Sequence, residues 1–561
     1  MLRGASSCSV RSQTQWLLAP TCFWAFGETW TENQIADRAR GILSRAQTDL
    51  LQGQQQDKTA RLASWKKRLN DPTLKGLGRW IRTKESGKPG VIVVDDTGPI
   101  THRTEVTAAI CSFWQKVWQE PSVPVSQSVN QLVAGFTSEG PDPRAFSWQP
   151  LGYQDLWRSV RDASGSGGPD QWYGEEVRHL PLEAIKVLFQ LTQVWESTGY
   201  LPLQLRESRQ VSIPKESAVS NHQLPLGKVR PISVMSVFGR VYASSWAKSP
   251  QVRKWTSTYL DRAVCFGKGA LGAEEVAAQL QEKLLSGGYA ASLDWSQAYD
   301  RMKPQISTVA LQALGFPNSL CAVMRQAWHQ KRWVSFDGHT HETPLDAEHA
   351  TPQGCPLAPL ILSIWVTAGV RFVQRSSHDP IQQFTYMDDR SFHSFSLDAV
   401  MQATDLWSCW SQRMGLRENP SKTQICAKTK AQRRALVDRV PEWAKEHIKV
   451  LGASTVSVVR TYSQTETDRL EGARLRAQLL SLAPLSWDLR IRAHQSFVSS
   501  KAAYGWIGRW PNKRESEQLF SGLIKGWGTG HGASRHLRKL RKLFATLMWF
   551  FSRVLGRVSK G

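Results

Sequence analysis

Three acids carry most of the chemistry that can be read from this chain. Asp294 lies in Ala290-Ala-Ser-Leu-Asp294-Trp-Ser-Gln-Ala-Tyr299-Asp300, where a short apolar strand ends in an acid and a helix then begins. An acid at a strand's end, just outside the core, is well placed to hold a cation. Further along, Phe384-Thr-Tyr386-Met387-Asp388-Asp389-Arg-Ser-Phe sets apolar residues on both sides of an adjacent acid pair. That pattern predicts a β-hairpin with both carboxylates at its tip. Adjacent like charges raise one another's pKa, so folding alone supplies no reason for the pair, and a divalent cation removes the penalty. Three carboxylates from two sheet elements suit a two-metal centre for in-line phosphoryl transfer. Mg²⁺ fits best, as a hard cation that wants few protein oxygens and several from water or phosphate. Taken alone, Asp-Asp is also an ordinary solvated turn.

The elements that must position these acids occupy the middle of the chain. From about residue 150 helix and strand signals alternate densely: Leu182 to Trp195 reads as an amphipathic helix, and Arg209 to Ile213 and Tyr289 to Leu293 as short strands. Before this, Ile35 to Lys67 reads as polar helix interrupted by the Gln-rich Gln52 to Gln56. A Gly/Pro loop (residues 86–90) then leads to a strand at Val91 to Val94, and a helix runs from Glu105 to Trp118. Residues 467–507 return to helix. A formal net charge of +24 favours a polyanionic partner, since each neutralised phosphate releases counterions. An anionic membrane surface would feel the same field. No apolar run reaches the roughly 20 residues that span a bilayer, and the eight cysteines lack both zinc-site spacing and a disulfide pattern.

Several segments, in order along the chain, resemble reverse transcriptases of the non-LTR retrotransposon type. Tyr386-Met387-Asp388-Asp389 resembles the catalytic tetrad of that family, and Asp294 to Asp300 its first palm motif. Between them Thr351-Pro-Gln353-Gly354-Cys-Pro356-Leu-Ala-Pro359 is similar to the Gln-Gly-x-Pro motif beside the incoming nucleotide. Val211-Ser-Ile-Pro214-Lys215 and Lys228-Val-Arg230-Pro231 resemble fingers strands; Met414-Gly415-Leu416 with Lys422-Thr423 resembles the next palm motif, and Val450-Leu451-Gly452 the primer grip. Gly168-Pro169-Asp170 is similar to an upstream element of the non-LTR enzymes. The likeness covers about 150–510. Any one element is weak and the ordered set is strong.

The resemblance implies an α+β right-hand polymerase with fingers, a palm built on an antiparallel sheet flanked by helices, and a helical thumb. It implies RNA-directed DNA synthesis with RNA template, DNA or RNA primer and dNTPs as partners, and two Mg²⁺ ions (Mn²⁺ as an alternative) on Asp294, Asp388 and Asp389. Lys215 and Arg230 would clamp the triphosphate, Tyr299 would exclude a 2′-hydroxyl, Gln353 and Gly354 would shape the nucleotide pocket, and Lys422 would protonate pyrophosphate. Each has a plainer alternative: a solvated cation for Arg230, Lys215 and Lys422, a packed aromatic for Tyr299, a simple turn for Gln353-Gly354. Met387 departs from the alanine often found in the non-LTR branch, Ala358 from a usual serine and Gln297 from a usual lysine.

The expected division is a leader at 1–30, a helical pre-polymerase region at 31–145, fingers at 146–290, palm at 291–455, helical thumb at 456–512 and a basic tail at 513–561. The first 27 residues, which lack any acid, are also compatible with organellar targeting, although a nuclear, intracellular protein is the expectation. The tail mixes cations with Trp527, Trp549, Phe550 and Phe551, which suits nucleic acid more than a membrane surface; no stable membrane insertion is expected. No endonuclease signature is seen in 1–150. An RNA-directed RNA polymerase and a catalytically decayed RNA-binding scaffold are the competing functions.

Overall fold

The computed structural model describes residues 62–85, 92–95, 98–119, 123–138, 140–215, 223–261, 264–265, 272–347, 350–451, 453–456, 464–483 and 485–504, with single positions between 37 and 60 and at 519. The leader, the Gly/Pro loop, Gly452 and, apart from Leu519, the basic tail lie outside the described residues. The strands, in chain order, are β1 (Ile92–Asp95), β2 (Gly98–Ile100), β3 (Glu207–Pro214), β4 (Gln223–Pro225), β5 (Val229–Met235), β6 (Val264–Cys265), β7 (Tyr289–Leu293) and β8 (Gln330–Phe336). There follow β9 (His339–Thr340), β10 (Leu345–Ala347), β11 (Gln382–Tyr386), β12 (Asp389–Ser394), β13 (Gln424–Ala427), β14 (His447–Val450) and β15 (Ala453–Val456).

A five-stranded sheet of order β13-β7-β12-β11-β6 forms the centre. Its four longer strands are antiparallel, but β6 runs parallel to β11, so the sheet is mixed rather than purely antiparallel. Every residue of β7 is buried, and period-two alternation divides them between two cores. Tyr289, Ala291 and Leu293 join the main core with Phe392, Trp407 and Trp410. Ala290 faces Leu280 and Leu284 of the helix Ala273–Ser286. The main core also takes in the helix Ala358–Ser376, which is buried almost all round, as expected of a helix apolar on every face. At Gly369 an added Cβ would come within 2.8 Å of the Trp407 ring, so glycine there lets that helix and Leu397–Arg413 close together.

The second sheet has the order β10-β8-β3-β5, with β9 on β8. Its buried positions include Ser208, Gln210, Ser212, Ser233, Gln330 and Arg332, an unusually polar inner face that must find hydrogen-bond partners. Gln210 accepts from the Ser233 hydroxyl at 2.9 Å, and Arg332 stacks over Trp118 at 4.5 Å. The helix Arg103–Trp118 lends Val106, Ile110, Trp114 and Trp118 to a core shared with Val334 and Ala347.

Several contacts join segments across the linear division. Residues 31–145 are not simply helical: β1 and β2 form a small sheet with β4, because Val93 has the apolar core of the Arg103–Trp118 helix to cover. Gln52, Gln55 and Gln56 are themselves helical, so glutamine, a good helix former, does not break the turn there. The sheet expected within 146–290 is completed by β8 and β10, from beyond residue 290. Leu69, Leu74, Leu77 and Ile81 pack with the helix Gln464–Leu482 and its successors in a separate core. No helix among the described residues is long and apolar enough to cross a membrane.

Candidate active site

Asp294 follows the last residue of β7, where the chain leaves the central sheet and is held by a neighbouring segment. Its carbonyl accepts from Asn419 N–H at 2.9 Å, and Ser296 N–H donates to Arg417 at 2.8 Å. The hairpin β11–β12 closes with Tyr386 opposite Asp389, leaving Met387 and Asp388 as a two-residue turn. Asp388 thus sits in the turn itself and Asp389 is the first residue of β12. Met387 has φ 57°, a left-handed value that costs an ordinary side chain about 1–2 kcal/mol. Strain of that kind persists only where the surroundings over-determine it, often at functional sites. The β12–β7 register pairs Arg390 with Leu293; one step further sets Asp389 across from Asp294.

The electrostatics agree with this convergence. Burial raises the Asp388 carboxyl above its usual range, and Asp294 adds to the rise. Burial, then Asp388 and Asp294, push Asp389 up to about 6. Arg390 and Lys422 oppose these shifts without cancelling them. Lys422, in the turn Pro420–Lys422, donates its Nζ to the Asp294 carboxylate. Burial raises the Tyr299 phenol and Asp388 raises it further, so the ring stands within electrostatic reach of the hairpin acid.

Two cations arrive from the second sheet. Lys215 follows β3, its N–H donating to Lys228 at 3.1 Å, and Arg230 lies on β5 opposite Ile213. The Lys215 ammonium is lowered by burial first and by Lys422 and Arg230 next, while Asp294 favours its charged form. The site therefore lies where the two sheets meet. Gln353 is placed differently: its amide donates to Asp300 at 2.6 Å, while its carbonyl accepts from Ser233 N–H at 2.8 Å. Gly354 has φ 128°, and a Cβ there would come within 2.4 Å of the Ser233 carbonyl oxygen, so only glycine fits this approach.

Residues that the sequence reading did not single out hold the acids in place. Arg390 is fully buried; it donates to Glu418 at 2.8 Å and to the Asp388 carbonyl at 3.2 Å. It also stacks over Trp295 at 4.0 Å and Trp407 at 4.9 Å. Ser411 donates to Glu418 at 2.7 Å and accepts from the Trp295 indole at 2.9 Å. The only sequence signal was an arginine directly after the acid pair. Asp300 and its partners were likewise seen only as part of a motif.

Among the described residues, no group of three His, Cys, Asp or Glu side chains stands ready to grip a metal ion. The donor set nonetheless suits a hard divalent cation. Asp388 and Asp389 are held side by side and partly buried at a cost in like-charge repulsion, and Lys422 is ion-paired with Asp294.

Residues 213–455 match the family model described as reverse transcriptase (RNA-dependent DNA polymerase). No curated protein matches the chain. All nine residues assigned above to catalysis or nucleotide binding fall within the matched segment, and reverse transcriptases generally use divalent metal ions. A domain of this family implies a nucleic-acid template and primer and nucleotide substrates, and the chain that carries it at residues 213–455 is an RNA-directed DNA polymerase.

Proposed function

We propose that the chain adds deoxynucleotides to a primer 3′-hydroxyl on an RNA template, with two Mg²⁺ ions held by Asp294, Asp388 and Asp389, and that it comes from a non-LTR retrotransposon. The observation that supports the reading is the β12–β7 register, which ends with Arg390 opposite Leu293 and so leads Asp389 toward Asp294, with Asp388 in the adjoining turn and both Asp294 and Asp388 acting electrostatically on Asp389. In this reading the central sheet is the palm, β3, β5 and β8 belong to the fingers, and the helices from Gln464 to Ala503 form the thumb. Tyr504 donates to the Leu451 carbonyl at 2.7 Å, tying that thumb to the β14–β15 turn assigned as primer grip. The non-LTR origin rests on Gly168-Pro169-Asp170 and the order of motifs.

When bound, the ions supply activation of the attacking hydroxyl and charge neutralisation at the departing pyrophosphate. The chain's own residues do the rest. Lys215 and Arg230 grip the triphosphate, the lysine as a point charge and the arginine as a fork. Tyr299 closes the space beneath the sugar against a 2′-hydroxyl. Lys422, whose ammonium is paired with Asp294, would donate a proton to pyrophosphate. The basic tail adds grip on nucleic acid.

The test is extension of oligo(dT) on poly(rA) by the purified chain with Mg²⁺. Extension with dUTP should exceed that with rUTP by about 100-fold in kcat/KM, the discrimination a shaped pocket gives against one added hydroxyl. A preference for the ribonucleotide would overturn the substrate assignment.

A pH dependence follows from Asp389. Its folded pKa, pushed up to about 6, lies above the unfolded value, so between roughly 4 and 6 the metal-free fold binds a proton that the unfolded chain has released. Stability of the metal-free protein therefore falls as pH rises through that window. Metal must displace the same proton, so metal affinity rises with pH there. The Mg²⁺ concentration for half-maximal extension should be about 10-fold higher at pH 5 than at pH 7. A flat metal requirement across that range would contradict the assignment.

A further inference from the structure

A buried polar cluster lies behind the nucleotide loop and reaches a helix outside the matched segment. Asp300 is 2 % exposed; its Oδ1 accepts from the Trp118 indole N–H at 3.1 Å and its Oδ2 from the Gln353 amide at 2.6 Å. Arg332, 1 % exposed, favours the Asp300 carboxylate electrostatically and lays its guanidinium over the Trp118 ring. Its Nη2 donates to Ala350 at 2.8 Å, next to the loop itself. The loop is bolted to the turn bearing Asp300 by Thr351, whose N–H donates to Tyr299 at 3.0 Å and whose hydroxyl donates to Met302 at 3.0 Å. Its far side closes on Ser233 through Gly354.

A buried carboxylate is costly unless hydrogen bonds and a cation compensate it. Besides the adjacent Arg301, three compensating groups come from three different elements: Trp118 from the end of the helix Arg103–Trp118, Arg332 from β8, Gln353 from the loop. The Gln353 amide can rotate about its terminal torsion unless something holds it. A charged acceptor at 2.6 Å holds it strongly, and Trp118 in turn fixes the rotamer of that acceptor.

We propose that Trp118 and Asp300 are positioning residues for nucleotide binding: Trp118, from a helix upstream of the polymerase domain, orients Asp300, and Asp300 fixes the Gln353 amide and with it the Thr351–Gly354 loop. This rests on the reading of Gln353-Gly354 as part of the nucleotide pocket. The upstream helix is thereby a working part of the pocket as well as a cover for the second sheet.

The test uses the full chain with Trp118→Phe, which deletes the indole N–H, and Asp300→Asn, which keeps the volume and removes the charge. Each should raise KM for dNTP by about 10-fold, the worth of one hydrogen bond to a charged group, with kcat within twofold and the KM for primer–template unchanged. In a Gln353→Ala background Trp118→Phe should add nothing to KM, because it acts through that amide. A purely architectural cluster would lower the melting temperature and the active fraction, seen as kcat, and leave KM alone; that result would overturn the proposal. So would insoluble protein from both variants, or additive KM effects in the Gln353→Ala background. Failure of the wild-type chain to extend any primer would instead sink the functional reading above, so the two failures are distinguishable.

Discussion

Asp388→Asn should abolish primer extension, lowering kcat on the order of 10³-fold or more, while leaving primer–template affinity within a few-fold. The magnitude is that of removing one preorganised charge-stabilising group from a phosphoryl- or acyl-transfer site. The substitution keeps the volume of the side chain and relieves repulsion from Asp294, which raises the Asp388 carboxyl in the folded chain. Stability should therefore hold or rise slightly, and the loss cannot be attributed to unfolding. Steady-state extension on poly(rA)/oligo(dT), alongside a melting curve and a gel-shift titration, measures all three quantities. Unchanged extension would end the catalytic assignment, and a loss matched by a lower melting temperature would point to folding instead.

Arg390→Ala should be the most damaging single change to stability, at about 3–5 kcal/mol, because it strands a buried partner. Arg390 is fully buried between Trp295 and Trp407 and pairs with Glu418, whose side chain is 15 % exposed. Removing the guanidinium leaves that carboxylate with the Ser411 hydroxyl but without its cation, takes the Arg390 donor from the Asp388 carbonyl, and opens a cavity between the indoles. The double change Arg390→Met with Glu418→Leu replaces the pair by apolar volume and should recover most of the stability. Activity should not return, because the carbonyl of the catalytic turn still lacks its anchor. Urea midpoints and extension rates on the three variants separate the two roles. If Arg390→Ala unfolds at the wild-type midpoint, the buried pair is not the support described here.

Much of the framework was legible because it is encoded over short stretches. Tyr289 to Leu293 was expected as a strand and is one, its apolar run being what a strand buried on both faces requires. The helix expected over Leu182 to Trp195 continues to Thr198 and stops where Gly199 takes φ 63°, since a left-handed glycine ends a helix regardless of the apolar pattern before it. The acid pair was read as a hairpin tip, and Tyr386 does pair with Asp389.

Other features were hidden for equally physical reasons. Ser208, Gln210 and Ser212 alternate along β3 as a solvent face would, yet they are buried, and the Gln210 side-chain carbonyl accepts from Ser233 of β5. Arg332 and Arg390 look like surface cations, because arginine is rarely buried unless paired; their acids and indoles come from distant segments. Gln353 read as a pocket residue, and its amide is committed to Asp300. That β8 and β10, from beyond residue 290, return to pair in the second sheet was equally hidden, because strand pairing joins segments far apart in sequence.

By itself the chain of residues determined which acids exist, in what order they come, and that each ends a strand or turns a hairpin, since apolar periodicity and turn chemistry act over a few neighbours. Only the tertiary structure decided that β12 pairs with β7 so as to bring Asp389 toward Asp294, that Lys422 bonds to Asp294 with Lys215 in electrostatic range of it, and that Trp118 lies behind the nucleotide loop. Strand register and charge coupling are set by contacts between segments far apart in sequence, where no local pattern carries the information.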